Sequence, residues 1–276
     1  MLLAAVLLAC SHYAFSFSPS HVLLKRASQT FAASRCPPLQ IQMQKTTPSP
    51  DKSWNVGRFA KTFTFFNGNP ILKLIPFVPS GSPSVPRPDP VQLSSSETVV
   101  WDFASLDSAA FASLWAPLDD VVMGGGSASA ISQAEHGATL AGVTSSLNSG
   151  GFCSARTRNV SPAYDLGGYK GVAMKVRCER GMRYKIILRD REGWDTVAWC
   201  YSFDTVPGKW MDLKVPFSSF IPVVRGNTIT PKEPIRPSSL YSVQVMLSKY
   251  EYDGQLNPNF TEGPFQLDFG PIRAFT

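Results

Sequence analysis

The chain has 276 residues and a formal net charge of +6, with 26 basic and 20 acidic side chains. The surplus sits in residues 1–98, which hold nine Lys and Arg against three Asp and Glu; residues 99–276 keep seventeen of each (26 − 9 and 20 − 3). A nucleic-acid binder concentrates positive charge on its folded part, so the balanced C-terminal region argues against that class, and no nucleic-acid partner is expected.

Residues 1–10, MLLAAVLLAC, match the apolar region of a signal peptide, too short to span a bilayer, which needs about 20 residues. Ser11, His12, Tyr13 and Ala14 make a cleavage approach, although no Lys or Arg precedes the run. The following FSFSPSHVLLKRASQTFAASR is rich in Ser, Ala and basic residues and has no acid, as in an organelle transit segment. The pair resembles the bipartite leaders of algae with secondary plastids, in which an aromatic residue such as Phe15 follows the first cleavage. Residues 1–58 are therefore expected to be a targeting leader to a plastid, with the mitochondrion as runner-up.

Residues 59–98 read as an apolar and Pro-rich linker. Phe63, Phe65 and Phe66 are separated from Ile71, Leu72, Leu74 and Ile75 by Asn67-Gly68-Asn69-Pro70. With Lys61 and Lys73 beside them, residues 59–78 suit a peripheral membrane contact, or else pack on the domain that follows. Pro79, Pro83, Pro86, Pro88 and Pro90 then make a semi-rigid spacer. Leader and linker are expected to be disordered, and a domain to occupy residues 99–276.

That domain reads as all-β. Residues 106–115 supply one helical pattern, with Leu106, Ala110, Phe111 and Leu114 on one face and Ser105 or Asp107 as cap. Elsewhere apolar residues alternate: Val172, Met174 and Val176; Tyr184, Ile186 and Leu188; Val197, Trp199, Tyr201 and Phe203. Residues 210–217, 241–247 and 264–272 continue the pattern. Period-two alternation buries one face against a second sheet and wets the other, and without intervening helices a parallel sheet is unfavoured. A two-sheet sandwich follows. Cys153, Cys178 and Cys200 have neither zinc-ligand nor CxxC spacing and suit buried thiols.

Residues 118–127, LDDVVMGGGS, pose the question of chemistry against architecture. Phosphate loops need a Lys or a GxGxxG spacing between strand and helix, and neither is present. Asp119 and Asp120 would point to opposite faces of an extended chain, which disfavours paired acid–base work. The architectural reading is a corner held by Asp119, with Val122 and Met123 entering the core and Gly124 and Gly125 turning the backbone. Three histidines, of which His12 and His21 lie in the leader, leave only His136 for any nucleophilic centre, and its QAEHGA context is a polar turn. No catalysis, cofactor or metal is expected.

These motifs resemble the complex I intermediate-associated protein 30 family. Its opening signature is met by Asp119, Val122, Met123, Gly124, Gly125 and Ser127, and a second block by Leu147, Asn148, Gly150, Gly151, Phe152, Ser154 and Arg156. Tyr169 and Gly171 supply a third; Trp210, Pro216, Phe217, Phe220, Pro222, Arg225 and Gly226 the last. Leu118 departs from the family's Asn or Ser, and Cys178-Glu179-Arg180-Gly181 from its usual Gly-Asp-Gly turn. The resemblance implies a galactose-binding-like jelly-roll β-sandwich without catalysis. It also implies a non-catalytic assembly factor for a membrane electron-transfer complex, respiratory or photosynthetic, whose partners are subunits or assembly intermediates. Lys185, Arg189 and Arg191, in phase along a strand, and Tyr250, Tyr252 and Phe260, in a polar loop, are the expected docking residues. The alternative is a carbohydrate-binding module, with Trp194 and Trp199 as a stacking platform beside Asp195.

Overall fold

In the computed structural model, residues 55–67, 84–103, 105–193, 196–231 and 233–276 are described. The expected targeting leader up to residue 54, residues 68–83 of the linker, and Trp194 and Asp195 lie outside them. In chain order the elements begin with α1 (Val56–Asn67), β1 (Val85–Pro86), β2 (Val91–Gln92) and β3 (Glu97–Trp101). Next come α2 (Ser108–Leu114), β4 (Trp115–Pro117), β5 (Ala128–Ala134), β6 (Gly137–Thr144), β7 (Phe152–Thr157) and β8 (Val160–Ser161). β9 (Gly171–Arg177), β10 (Arg183–Arg189), β11 (Ala198–Asp204), β12 (Met211–Pro216), β13 (Ile221–Val224) and β14 (Asn227–Thr228) lead to β15 (Ser242–Ser248), β16 (Gly263–Phe269) and β17 (Ile272–Phe275).

The strands form the jelly-roll-like β-sandwich that the alternation requires. One sheet has seven strands in the order β14-β13-β11-β10-β15-β7-β4. The other has eight, in the order β2-β3-β17-β9-β16-β6-β5 with β12 added on β9. Ile186 stands opposite Tyr201 and Val245, and Leu188 opposite Trp199 and Val243, so the apolar residues of three neighbouring strands share one face. Val172, Met174, Val176, Leu267 and Phe269 of the other sheet complete a single core with them. Each fully buried side chain of this size contributes about 1.5–3 kcal/mol of transfer free energy, which explains why a domain without a disulfide holds together. The three described cysteines are buried free thiols.

The helix read at 106–115 starts two residues later. The Asp107 side chain accepts from the Ala110 N–H at 2.8 Å, and Phe111 and Leu114 are buried, Phe111 beside Phe103. A second helix, α1, arises in the stretch read as leader and linker. Phe59, Phe63 and Phe66 recur at helical spacing, and the helix stops at Asn67, ahead of Gly68 and Pro70.

The expected membrane contact through residues 59–78 is corrected for the described part of that segment. The apolar side of α1 is turned onto the sandwich, with Phe66 buried over the Arg156 guanidinium and Arg158 Nε donating to the Phe65 carbonyl at 3.0 Å. No helix among the described residues is long and apolar enough to cross a membrane.

The outer face of the seven-stranded sheet also departs from the half-wet pattern. Lys185, Ile187, Arg189, Ser154, Arg156 and Gln244 are all buried there, because α1 and the loop after β15 fold over it.

Candidate functional site

The glycine corner is built by both aspartates. Asp119 is extended, and a 3-10 turn runs from Asp120 to Met123, closed by Gly124 in the left-handed conformation (φ 88°) that favours glycine. Asp119 accepts from the Ser129 N–H and hydroxyl at 2.8 and 2.6 Å, from the Ser154 N–H at 3.3 Å and from Arg58 Nη2 at 2.9 Å. Asp120 accepts from the Ser127 N–H at 2.9 Å, the Ser127 hydroxyl, and the Gly151 and Phe152 N–H groups at 2.7 and 3.3 Å.

A Cβ on Gly125 or Gly150 would collide with the Asp120 carboxylate. The first two sequence blocks are therefore two halves of one structure, which Asn148 joins by donating to the Gly124 carbonyl at 3.1 Å. The expected burial is corrected by one residue: Val121 enters the core, Val122 is half-buried and Met123 is 62% exposed, because the 3-10 turn replaces strand alternation. Burial pushes the Asp119 carboxyl up to about 6, against the lowering influence of Ser129, Arg58 and Ser154. With both carboxylates engaged by internal donors, the corner is architectural.

The remaining family residues are dispersed. Arg156 is buried on the outer face of β7, where burial and then the neighbouring Arg189 hold its guanidinium below the ordinary arginine range. Pro216 and Phe217 close β12, and Phe217 donates its N–H to the Lys170 carbonyl at 2.9 Å. Arg225 and Gly226, at φ 51° and 83°, turn β13 into β14. Trp210, just before β12, is 42% exposed.

The expected docking residues do not form one surface. Lys185 Nζ is buried and donates to the Tyr250 and Glu251 carbonyls at 2.6 and 2.9 Å, beneath the Tyr252 ring. Arg189 donates to Gln244 Oε1 at 3.0 Å, Tyr252 meets the Ser202 hydroxyl at 3.0 Å, and Phe260 packs against the core. Tyr250 and Arg191 are exposed, and Arg191 pairs with Glu233 at 3.3 Å.

Arg191 leads instead to a cavity of about 460 Å³ where the ends of β10, β11 and β14 meet the following loop, lined by Asp190, Arg191, Val197, Trp199, Ile229, Pro231, Glu233 and Arg236. Asp190 follows β10 directly and is 1% exposed. Its Oδ2 accepts from the Arg236 N–H at 3.0 Å, and Arg236 Nη2 donates to the Asp190 carbonyl at 2.8 Å. Among the described residues Asp190 Oδ1 and the Trp199 indole N–H have no hydrogen-bond partner.

Both atoms are themselves buried, so the polar groups that the cavity presents to solvent are those of Arg191, Glu233 and Arg236. Among the described lining residues two guanidiniums and two carboxylates balance to zero, while Val197, Trp199, Ile229 and Pro231 give an apolar wall. The sequence shows Trp199 by its alternation, but Asp190, Glu233 and Arg236 lie in charge-rich turns with no pattern to single them out. Among the described residues no group of three or more His, Cys, Asp or Glu side chains gathers as a metal site would.

The family model described as complex I intermediate-associated protein 30 matches residues 101–269. An uncharacterized protein of Schizosaccharomyces pombe is 25% identical over 174 residues, 57% of this chain and 75% of that protein. Among solved structures, a family 11 carbohydrate-binding module from Clostridium thermocellum, in complex with a β-1,3-1,4-mixed-linked tetrasaccharide, superposes with a TM-score of 0.44 and 15% identity. That match covers 66% of this chain and 96% of the module. The family 11 module of a cellulosomal cellulase of the same organism gives 0.42 and 16% identity over 66% and 95%. These likenesses concern the fold.

The expectation of an assembly factor docking subunits of an electron-transfer complex is corrected here. Lys185, Arg189, Tyr252 and Phe260, expected to dock partners, are bound into the fold itself and offer no such surface.

Proposed function

The chain belongs to the complex I intermediate-associated protein 30 family, and within that family we propose that it acts as a non-catalytic carbohydrate-binding protein. The observation that carries this reading is the cavity at Asp190 and Trp199. Its volume of about 460 Å³ lies in the range of small-ligand sites, roughly 300–1,000 Å³. A sugar presents a dense set of hydroxyls, each donor and acceptor, around an apolar ring of C–H groups. The cavity offers matching chemistry: a carboxylate acceptor from Glu233, guanidinium donors from Arg191 and Arg236, and an apolar wall containing Trp199.

The balanced charge of the described lining residues favours a neutral ligand over a phosphate or a carboxylate, for which a surplus of cations would be needed. The Asp190–Arg236 contacts hold the floor of the site in place before any ligand arrives, which limits the ordering entropy lost on binding. The tetrasaccharide bound to the family 11 module supplies a first ligand to try.

Isothermal titration calorimetry with mixed-linkage β-1,3-1,4-glucan, agarose oligosaccharides and arabinan tests the reading. Saturable heat is expected with at least one of them. Glu233→Gln and Arg191→Ala, at exposed positions, should each weaken binding about tenfold with an unchanged unfolding midpoint, as loss of a charged hydrogen bond does. Absence of heat with all three glycans, or unaltered binding by both variants, would overturn it.

A further inference from the structure

We propose that the outer face of the eight-stranded sheet carries a second carbohydrate contact, in which the Trp210 indole stacks on a sugar ring and Gln266 and His136, anchored by Asp268, exchange hydrogen bonds with its hydroxyls. The ligand class rests on the reading of the pocket; the site itself uses none of the pocket's residues.

Four strands assemble it. Met211 of β12 pairs with Val176 of β9, so Trp210 comes level with Arg177. Arg177 pairs with Asp268 of β16, and Asp268 with Thr139 of β6. The register thus draws a row from Trp210 through Arg177 and Asp268 to Thr139, about 14 Å long at roughly 4.8 Å per strand. The turn between β5 and β6 adds His136, whose ring meets Trp210 at 5.2 Å and 62°.

The chemistry of the row is that of a sugar platform. Trp210, on this outer face, keeps 42% of its surface in solvent, and tryptophan is among the residues whose burial on binding contributes most. The T-shaped contact with His136 holds the indole in one orientation, so little rotamer freedom remains to be lost. Asp268 Oδ1 collects Thr139 Oγ1 at 2.7 Å, Gln266 Nε2 at 3.0 Å and His136 Nε2 at 3.5 Å. Asp268 itself is buried and anchors the exposed Gln266 and His136 side chains, which face a ligand's hydroxyls. Stacking surface, amide and imidazole stand along one row of the sheet, and a row longer than one sugar ring fits a chain of linked rings.

The test uses the full chain, its Trp210→Ala, Trp210→Phe, Glu233→Gln and Arg191→Ala variants, and mixed-linkage β-1,3-1,4-glucan, agarose oligosaccharides and arabinan as probes. Affinity electrophoresis and titration calorimetry report binding, and sedimentation velocity reports self-association. Trp210→Ala should weaken binding at least about tenfold, as truncating an anchoring tryptophan does, while Trp210→Phe, which keeps a ring, should retain most of it.

If the wild type binds and Trp210→Ala binds equally well, the platform is overturned while the pocket stands. If Trp210→Ala weakens binding and neither Glu233→Gln nor Arg191→Ala does, the platform stands and the pocket falls. Failure of the wild type to bind any of the three overturns both. Wild-type self-association abolished by Trp210→Ala would make the face a protein interface and also overturn the proposal.

Discussion

Asp119 and Asp120 are neighbours in the chain, yet they organise different halves of the corner. Asp119 fastens β5, β7 and α1 through Ser129, Ser154 and Arg58; Asp120 gathers the Gly151 and Phe152 amides from thirty-one residues away and beyond. The acidic pair and the glycines were legible in the sequence as a corner. That Gly150 stands clear for the Asp120 carboxylate was not, because the tie is made in space between segments with no local pattern in common.

The raised titration of Asp119 has a thermodynamic consequence. Its folded carboxyl titrates near 6 against an ordinary value of 3.8, so the folded state holds the proton more tightly than the unfolded chain. The stability from this group is therefore fully present below pH 3.8 and lost as pH rises through about 6, with no further change above. Asp119→Asn removes that slope. Urea midpoints measured from pH 4 to 7 should show the wild type gaining on Asp119→Asn as the pH is lowered. Parallel profiles for the two proteins would exclude Asp119 as the titrating group.

Among the elements, α1 shows what local patterning leaves undecided. Its aromatic spacing is visible in the sequence, but a membrane face and a protein face require the same amphipathic helix, and only the partner distinguishes them. Here the partner is the sandwich, through Arg58 to Asp119 at 2.9 Å and to the Ser127 carbonyl at 3.0 Å, and through Arg158 to the Phe65 carbonyl. The Arg158 guanidinium also lies 4.0 Å from the centre of the Phe65 ring.

A twelve-residue helix is marginal alone in water, so α1 depends on these contacts. Arg58→Ala should speed amide hydrogen exchange across residues 56–67 about tenfold while β10 and β15 keep their protection, which hydrogen-exchange mass spectrometry resolves by segment. Equal exchange in the two proteins would show that the arginine does not hold the helix. The outer face of the seven-stranded sheet teaches the same lesson. Lys185 and Arg189 alternate in phase like a solvated stripe, yet both are buried, Lys185 under a loop 65 residues further on and Arg189 against Gln244 of β15.

For the whole molecule, alternation of β-branched and aromatic residues was enough to foresee two sheets around one core, because burial on one face is a property of each strand by itself. The site was less legible. Trp199 belongs to the core pattern and lines the cavity as well, while Asp190, Glu233 and Arg236 meet there only once the loop after β14 has wrapped the ends of β10 and β11.

Since that wrapping is part of the folded state, a ligand at the cavity binds the folded form and not the unfolded chain, and must raise stability by mass action. At a hundredfold excess over its dissociation constant a neutral glycan should add about 2.7 kcal/mol, or about 5–10 °C in the midpoint of a domain of this size. Differential scanning fluorimetry along a glycan titration would follow the rise, and Glu233→Gln should shift the curve to higher glycan concentration without moving its ligand-free midpoint. A midpoint that stays constant at saturating glycan would mean that the cavity does not take it, whatever heat a titration releases.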